Sequence, residues 1–252
     1  MTVLHFLLVV GVGIVAGTIN VLAGGGSLLT LPTLIFLGLP PTVANGTNRV
    51  AVWVQNVTAV AGFRSRGFNA IGYGLFLAGP AILGAIAGAL VAVDIDDTVF
   101  KQVLAGLMLV MLTLILWNPT ERYQAATENL TLKRKIIAAV AFLFVGFYGG
   151  FIQAGVGILI IATLTLVNGL DLVRVNSYKV VINSIYTLVA LLIFALHGDV
   201  NWLVGLSLAI GMGIGGWLGS VLAVEKGEPF IKAILVIAVT AMAIKLLLDA
   251  MG

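Results

Sequence analysis

The sequence predicts an all-α integral membrane protein built from two related halves, and three observations lead to this class. First, 61% of the residues are hydrophobic and only 9% are charged, whereas a soluble domain carries roughly 25% charged residues. Second, long apolar segments recur along the chain, and roughly 20 such residues cross a bilayer. Third, the first half of the sequence recurs 131 positions later. A surface this apolar faces lipid and not water.

Glycine clusters mark the repeat most clearly. The stretch Ala23-Gly24-Gly25-Gly26 precedes Gly38-Leu39 and Asn45, and its copy Ala154-Gly155-Val156-Gly157 precedes Gly169-Leu170 and Asn176. The same offset needs no gap from residue 23 to about residue 112. Internal repeats with interrupted helices at matching positions are typical of secondary transporters, whose binding site lies where the interruptions meet.

Hydropathy divides each half into five segments. They run at about 3–22, 27–38, 42–63, 70–93 and 98–117, and again at about 134–153, 158–169, 172–196, 201–224 and 229–249. The segments 27–38 and 158–169 are too short to cross, so we expect broken or re-entrant helices after the glycine clusters. We therefore predict a first repeat at 1–117, a cytoplasmic loop at 118–133 and a second repeat at 134–252, together forming one structural unit.

The charges of the connecting loops indicate orientation. Basic residues lie at 64, 66, 122, 133–135 and 226, and acidic residues lie at 94, 96, 97 and 199. With five crossings per half, the basic loops share one side, which should be cytoplasmic, and both termini lie outside. If the short segments do not cross, both termini lie inside, and charge does not separate the two arrangements. In each case an odd number of crossings inverts one half relative to the other, in a multi-pass protein of the cell membrane.

Two cations fall deep inside membrane segments, and the acids do not, whereas Lys245 lies near the C-terminal end of its segment, where it can reach the surface. Arg49 lies in the third segment and Lys179 in the eighth, while all ten acidic residues lie in loops or at segment ends. A charge at membrane depth indicates function by default. Cations without carboxylate partners suggest that the partner is an anionic substrate. The alternative is that both side chains reach headgroups or backbone carbonyls.

Polar side chains follow one face of the same two segments. Asn45, Asn48 and Asn56 recur at helical spacing, as do Asn176, Lys179, Asn183 and Thr187. Amide donors along one face suit an oxyanion, although they also join helices without any ligand.

The helix starts predicted at Ser27 and Ile158 would add backbone N–H groups and the positive ends of helix dipoles, which bind anions. Glycines there would let a ligand approach the main chain, and the alternative is a tight helix crossing. The complete set of predicted substrate-binding residues is Asn20, Gly24, Gly25, Gly26, Ser27, Asn45, Asn48, Arg49, Gln153, Gly155, Gly157, Asn176, Lys179, Asn183 and Tyr186.

Several motifs resemble the sulfite exporter TauE/SafE family, also called the toluene sulfonate uptake permease family. The stretch 17–27 (GTINVLAGGGS) precedes Leu31-Pro32 and 44–48 (ANGTN), and the second copy at 149–157 (GGFIQAGVG) precedes Asn176 and Lys179. The resemblance covers nearly the whole chain. It implies a membrane permease for small sulfur-containing or organic anions, most often an exporter of sulfite or sulfonates.

Other classes of function have less support in the sequence. The chain has no cysteine, so disulfides, thiol chemistry and cysteine-ligated metals are excluded. No catalytic constellation, metal site, cofactor motif or nucleic-acid partner is expected. We expect a secondary transporter for a small anion in the bilayer, with a homodimer as a possible assembly. A non-transport assembly factor and an anion channel remain the alternatives.

Overall fold

The computed structural model describes residues 3–100, 102–104, 106–107, 110 and 130–251. Its long elements are helices: α1 Val3–Ala23, α2 Ser27–Phe36, α3 Pro41–Arg64, α4 Ile71–Val93, α5 Leu132–Phe151, α6 Val156–Asn168, α7 Leu172–Leu196 and α8 Trp202–Met251. Helix α8 is interrupted at Gly227, where the backbone is not helical. This glycine separates the predicted segments 201–224 and 229–249. Most of the predicted segment 98–117 and of the loop 118–133 lies outside the described residues.

The repeat in the sequence is also a repeat of local structure. An offset of 131 carries α3 onto α7 to within one residue, and it carries the starts of α3 and α4 onto those of α7 and α8. Three pairs of glycines with positive φ obey the same offset: 24 with 155, 38 with 169 and 67 with 198. Only glycine adopts this backbone region at little energetic cost, so both halves turn at the same points.

The helices run in two opposite directions. In α1, Gly13 lies against Leu208 and Gly17 against Met212, so α1 and α8 run parallel. Helix α3 runs the same way, because Gly205 lies beside Thr47 and Ser220 beside Gly62. Helices α4, α5 and α7 run in the other direction. Their parallel packing is visible where Gly84 and Gly88 of α4 meet Leu143 and Phe147 of α5, and where Gly74 of α4 meets Val181 of α7.

The two ends of the bundle differ in charge. The end where α1, α3 and α8 begin carries Asp94, Asp96, Asp97 and Asp199, and we call it the acidic end. The end where α4, α5 and α7 begin carries Arg64, Arg66, Lys133, Arg134, Lys135, Arg174 and Lys226, together with Asp171 and Glu225, and we call it the basic end. The loop charges that the sequence analysis grouped therefore lie on opposite ends of the described bundle.

The two short helices, α2 and α6, run back toward the end of the bundle where the preceding long helices, α1 and α5, begin. Leu37 and Leu39, at the end of α2, line a cavity together with His5 and Val9 of α1. At the end of α6, the Val167 carbonyl accepts a hydrogen bond of 2.6 Å from Arg134, which lies in the first turn of α5. The pairs α1–α2 and α5–α6 are thus hairpins that enter the bundle and leave it at the same end.

Close helix packing explains many of the 31 glycines. A Cβ at Gly84 or Gly88 would collide with backbone atoms of α5, and one at Gly211 or Gly215 would collide with backbone atoms of α1. Their four-residue spacing places these glycines on one face of each helix, where the absence of side chains lets the helices approach closely.

Five helices among the described residues are long and apolar enough to cross a membrane: Val3–Ala23, Ile71–Val93, Leu132–Phe151, Leu172–Leu196 and Trp202–Gly227. Helix α3 is equally long but more polar. It carries Asn45, Asn48, Arg49, Gln55 and Asn56, and all five are shielded completely from the surface. Polar side chains at this depth are tolerable because neighbouring helices enclose them.

Candidate functional site

The two helix breaks meet inside the bundle. Helix α1 ends at Ala23 and α5 ends at Phe151, and after each end the chain turns back. The Gly24 backbone, with φ of 78°, lies directly against the backbone of Gly157. A Cβ on either residue would collide with the other chain. The two glycine clusters therefore hold the breaks against one another.

Arg49 of α3 binds the last turn of α5. Its guanidinium donates hydrogen bonds to the carbonyls of Gly149 at 2.9 Å and Gly150 at 2.6 Å, and to Gln153 Oε1 at 3.1 Å. Its Cζ also lies 4.6 Å from the ring centre of Phe194, which is within the range of cation–π attraction. The free carbonyls at a helix C-terminus carry partial negative charge, so they attract a cation.

Lys179 of α7 binds the last turn of α1 in the same manner. Its ammonium group donates to the carbonyls of Asn20 at 3.0 Å and Val21 at 2.7 Å, and to Asn176 Oδ1 at 2.7 Å. These three bonds use all three donors of a lysine. Lys179 is 1% exposed and Arg49 is 0% exposed, so both side chains end inside the bundle. They contact backbone carbonyls there, which the sequence analysis gave as one alternative to a substrate.

The asparagines Asn45 and Asn176, which the repeat aligns, add one bond to each of these contacts. Asn45 Nδ2 donates to the Phe151 carbonyl at 2.8 Å, and Asn176 Nδ2 donates to the Leu22 carbonyl at 3.2 Å. Each broken helix is thus held at its C-terminal end by a cation and an amide from the other half of the chain.

A second set of bonds connects α1, α2 and α3. Asn20 accepts a bond from the Gly26 backbone N–H at 3.2 Å and donates to Gln55 Oε1 at 2.6 Å. Asn48 donates to Ser27 Oγ at 3.2 Å and accepts from Thr30 Oγ1 at 2.7 Å. Because all of these side chains are buried, the network fixes the start of α2 beside the middle of α3.

Part of the buried polar layer makes no hydrogen bond among the described residues. Thr187 of α7 accepts a hydrogen bond of 3.2 Å from Gln153. On the same helix, Asn183 Oδ1 and the Tyr186 hydroxyl have no hydrogen-bond partner among the described residues. Arg49 Nε and Asn45 Oδ1, on α3, are also unpaired. Unpaired buried polar atoms are rare in native proteins and call for an explanation.

The electrostatic balance of this layer is positive. Every hydrogen bond of Arg49 and Lys179 among the described residues goes to a carbonyl or amide oxygen, and none goes to a carboxylate. Each helix C-terminus supplies roughly half a negative charge. Two cations facing two such ends leave about one positive charge uncompensated.

The structure brings most of the predicted site residues into this layer. Asn20, Gly24, Gly26, Ser27, Asn45, Asn48, Arg49, Gln153, Gly157, Asn176 and Lys179 all contact another member of the layer or the other half of the chain. Asn183 and Tyr186 are buried on the same helix as Lys179, and Gly155 precedes α6 with φ of 74°. For Gly25 the structure adds only that its carbonyl accepts a bond from Leu28.

The predicted helix start at Ser27 is confirmed, and the one at Ile158 is wrong by two residues. Helix α6 begins at Val156 and not at Ile158. Ser27 is the first residue of α2 and does not cap it, since the capping position is Gly26. The Gly26 N–H, predicted to be available to an anion, is bonded to the Asn20 side chain. Sequence reasoning missed Thr30, Phe194 and the carbonyls of Gly149 and Gly150, because a backbone carbonyl or a long-range ring contact has no signature in the sequence.

The class of protein that this fold defines is the multi-pass helical membrane protein, with five helices long and apolar enough to cross a membrane among the described residues. The sequence profile described as "Sulfite exporter TauE/SafE" matches residues 9–246. The chain therefore belongs to the TauE/SafE family, and the resemblance noted in its motifs is confirmed.

Relatives among curated sequences carry names that agree with this assignment. A "Probable membrane transporter protein" of Haemophilus influenzae is 31% identical over 240 residues, which cover 94% of this chain and 92% of the relative. "Probable membrane transporter protein YfcA" of Escherichia coli K12 is 29% identical over 96% of this chain and 89% of its own length. "Probable membrane transporter protein ORF9" of a Sinorhizobium species is 28% identical over 93% of this chain and 89% of its own length. No solved structure matches the chain.

Proposed function

We propose that this chain is a secondary transporter for a small anion, sulfite or an organosulfonate, and that the anion binds in the buried layer between the two helix breaks. The observation that carries the proposal is the uncompensated positive charge of Arg49 and Lys179. A buried charge without a counter-charge is costly, and a bound monoanion would balance it. The name of the family supports a sulfur oxyanion as the substrate.

The unpaired atoms of the layer support the position of the site. Arg49 Nε and the Tyr186 hydroxyl are buried donors that make no hydrogen bond among the described residues. Both side chains lie against Gly149, because its carbonyl binds the Arg49 guanidinium and a Cβ built on it would lie 2.8 Å from the Tyr186 hydroxyl. An oxyanion leaving water needs several donors at once, and charge-assisted hydrogen bonds are the stronger ones.

Transport would proceed by alternating access between two inverted halves. Equivalent helices of the halves run in opposite directions, and each half contributes one hairpin to the layer, which supports this relation. In inverted-repeat transporters, one half rocks against the other around a fixed central site. The polar layer is nearly inaccessible from either end in this conformation, since Asn20 at 6% is the most exposed of its predicted polar side chains.

The charge of the two ends supports a cytoplasmic basic end, because basic loops are retained on that side. We place the protein in the cell membrane on this basis. A negative interior drives an anion outward by about 2.3 kcal/mol per charge for each 100 mV. Export therefore needs no coupling ion in principle.

Flux measurements on purified protein in proteoliposomes test the proposal. Sulfite, methanesulfonate and acetate are supplied in turn, each with and without an imposed membrane potential. We expect electrogenic flux of sulfite or methanesulfonate that is at least tenfold faster than flux of acetate. Lys226→Gln, which removes an exposed cation, serves as the control for Lys179→Gln. Flux that is equal for all three anions, or that is electrically silent, would contradict the proposal.

A further inference from the structure

A second group of unpaired polar atoms lies at the basic end, away from the central layer. Four polar atoms there are buried and make no hydrogen bond in the described part of the chain. They are the hydroxyl of Tyr73 on α4 and, on α6, Thr165 Oγ1 and both amide atoms of Asn168. Thr165 and Asn168 are three residues apart on one helix face. The Tyr73 hydroxyl and the Asn168 amide are close enough to interact with each other, although they form no hydrogen bond of ordinary geometry. The Tyr73 ring meets the Tyr178 ring edge to face at 5.6 Å.

Charge at this place favours an anion. Arg134 lies next to the group, since it donates a hydrogen bond of 2.6 Å to the carbonyl of Val167. That bond offsets the negative C-terminal end of α6. Tyr73 belongs to the first turn of α4, whose N-terminal end contributes positive partial charge.

The other half of the repeat has no such group. At the offset of 131, Leu37 stands for Asn168, Leu34 for Thr165 and Val204 for Tyr73. Leu37 and Val204 line a cavity of about 590 Å³ that opens at the acidic end. The polar atoms are therefore specific to the basic end and are not required by the repeated packing, because leucine and valine fill the equivalent positions.

We propose that Tyr73, Thr165 and Asn168, with Arg134 at their edge, form a second anion-binding site at the basic end. This proposal rests on the proposed function: the second site holds the same small oxyanion as the anion enters or leaves the protein at the basic end. The two hydroxyls and the Asn168 Nδ2 donate to the oxygens of the anion. Asn168 Oδ1 accepts from the hydroxyl of a protonated oxyanion such as hydrogen sulfite.

The main test uses two threonines of α6 as a matched pair. Thr165→Val removes an unpaired hydroxyl, whereas Thr163→Val removes a hydroxyl that bonds to the carbonyl of Leu159 in its own helix. Sulfite transport is measured in right-side-out and in inverted vesicles, which present the two ends in turn. We expect Thr165→Val to raise the KM about 3- to 10-fold at the basic end and less than twofold at the acidic end, since one hydrogen bond is lost. Thr163→Val should change neither value.

Thermal unfolding separates binding from folding. Removing a buried hydroxyl without a partner should leave the Tm of Thr165→Val unchanged or raised. Asn168→Leu, which installs the residue of the other half, should behave in the same way. The second site would be overturned if the KM changed equally at both ends or at neither end. It would also be overturned if transport were lost in proportion to a lowered Tm.

A labelling experiment covers the case in which sulfite is not transported at all. The chain contains no cysteine, so Thr165→Cys provides a single thiol. We expect a negatively charged sulfonate methanethiosulfonate to react at least fivefold faster than its trimethylammonium analogue, and Arg134→Gln should remove this preference. Equal rates for the two reagents, or no reaction with either, would overturn the second site independently of the central one.

Discussion

Arg49 and Lys179 each bind carbonyls in the last turn of the broken helix of the other half, although the repeat does not align the two residues. Arg49 binds Gly149 and Gly150, and Lys179 binds Asn20 and Val21, which lie 129 positions earlier. The repeat, however, aligns Lys179 with Asn48 and Arg49 with Val180. The same contact is therefore formed from two neighbouring positions of the helix. Each helix break therefore has a cation at its end, and the two cations differ by one position in the repeat.

Neutralising Lys179 should affect both binding and stability. Lys179→Gln removes about one positive charge from the layer, so we expect anion affinity to fall at least tenfold, as measured by equilibrium binding of labelled sulfite. The loss of hydrogen bonds to the carbonyls of Asn20 and Val21 should also lower stability by about 1–3 kcal/mol. Lys179→Arg should be intermediate, because a planar fork replaces a point charge.

The two effects are separated by measuring affinity per folded protein. Affinity of Lys179→Gln within twofold of the parent, alongside a lowered Tm, would show that Lys179 only holds the end of α1. Lys226→Gln carries the same charge change at an exposed position and should alter neither quantity.

Gly24 and Gly38 provide a matched test of the contact between the breaks. Both have positive φ, of 78° and 92°, so alanine at either position introduces similar backbone strain of about 1–3 kcal/mol. A Cβ at Gly38 meets open space, whereas a Cβ at Gly24 collides with the backbone of Gly157. We expect Gly38→Ala to give folded protein and Gly24→Ala to be lost on size-exclusion chromatography. Equal Tm values for the two variants would show that the breaks separate easily.

Single cysteines test the orientation and the hairpins together. In intact cells, a membrane-impermeant maleimide should label Thr98→Cys and Leu39→Cys, which lie at the acidic end. Ser65→Cys and Asp171→Cys lie at the basic end and should be labelled only after permeabilisation. Labelling of Leu39→Cys from the same side as Ser65→Cys would mean that α2 crosses the membrane by itself.

The sequence predicted the helix breaks because glycine clusters and short apolar segments are local signals. It also placed Arg49 and Lys179 at depth, since a charge inside an apolar segment is visible in the sequence. Their partners could not be predicted, because these are backbone carbonyls of the other half. Which carbonyls they reach depends on the packing register between α1, α3, α5 and α7, which is a long-range property.

The second group of polar atoms was missed for a related reason. Tyr73, Thr165 and Asn168 are ordinary residues of two segments, and nothing in their spacing joins α4 to α6. Only the fold shows that they are neighbours and that they lack hydrogen-bond partners. In contrast, the packing glycines Gly84 and Gly215 were predictable, because four-residue spacing of small residues is a pattern within one helix.

Asp199, in the connection between α7 and α8, should make stability depend on pH. Partial burial raises the pKa of its carboxyl, Asp97 raises the pKa further, and His197 opposes the shift. The folded state therefore binds a proton more tightly than the unfolded state. Stability from this group is present below the unfolded pKa and is lost as the pH rises through the folded pKa.

The variant Asp199→Asn should thus raise the Tm at pH 7. This gain in Tm should disappear at about pH 4, where the parent carboxyl is protonated. Asp94→Asn, an exposed acid at the same end, is the control in the same thermal-unfolding series. A gain for Asp199→Asn that is constant from pH 4 to pH 8 would show that the amide acts through packing and not through the removed charge.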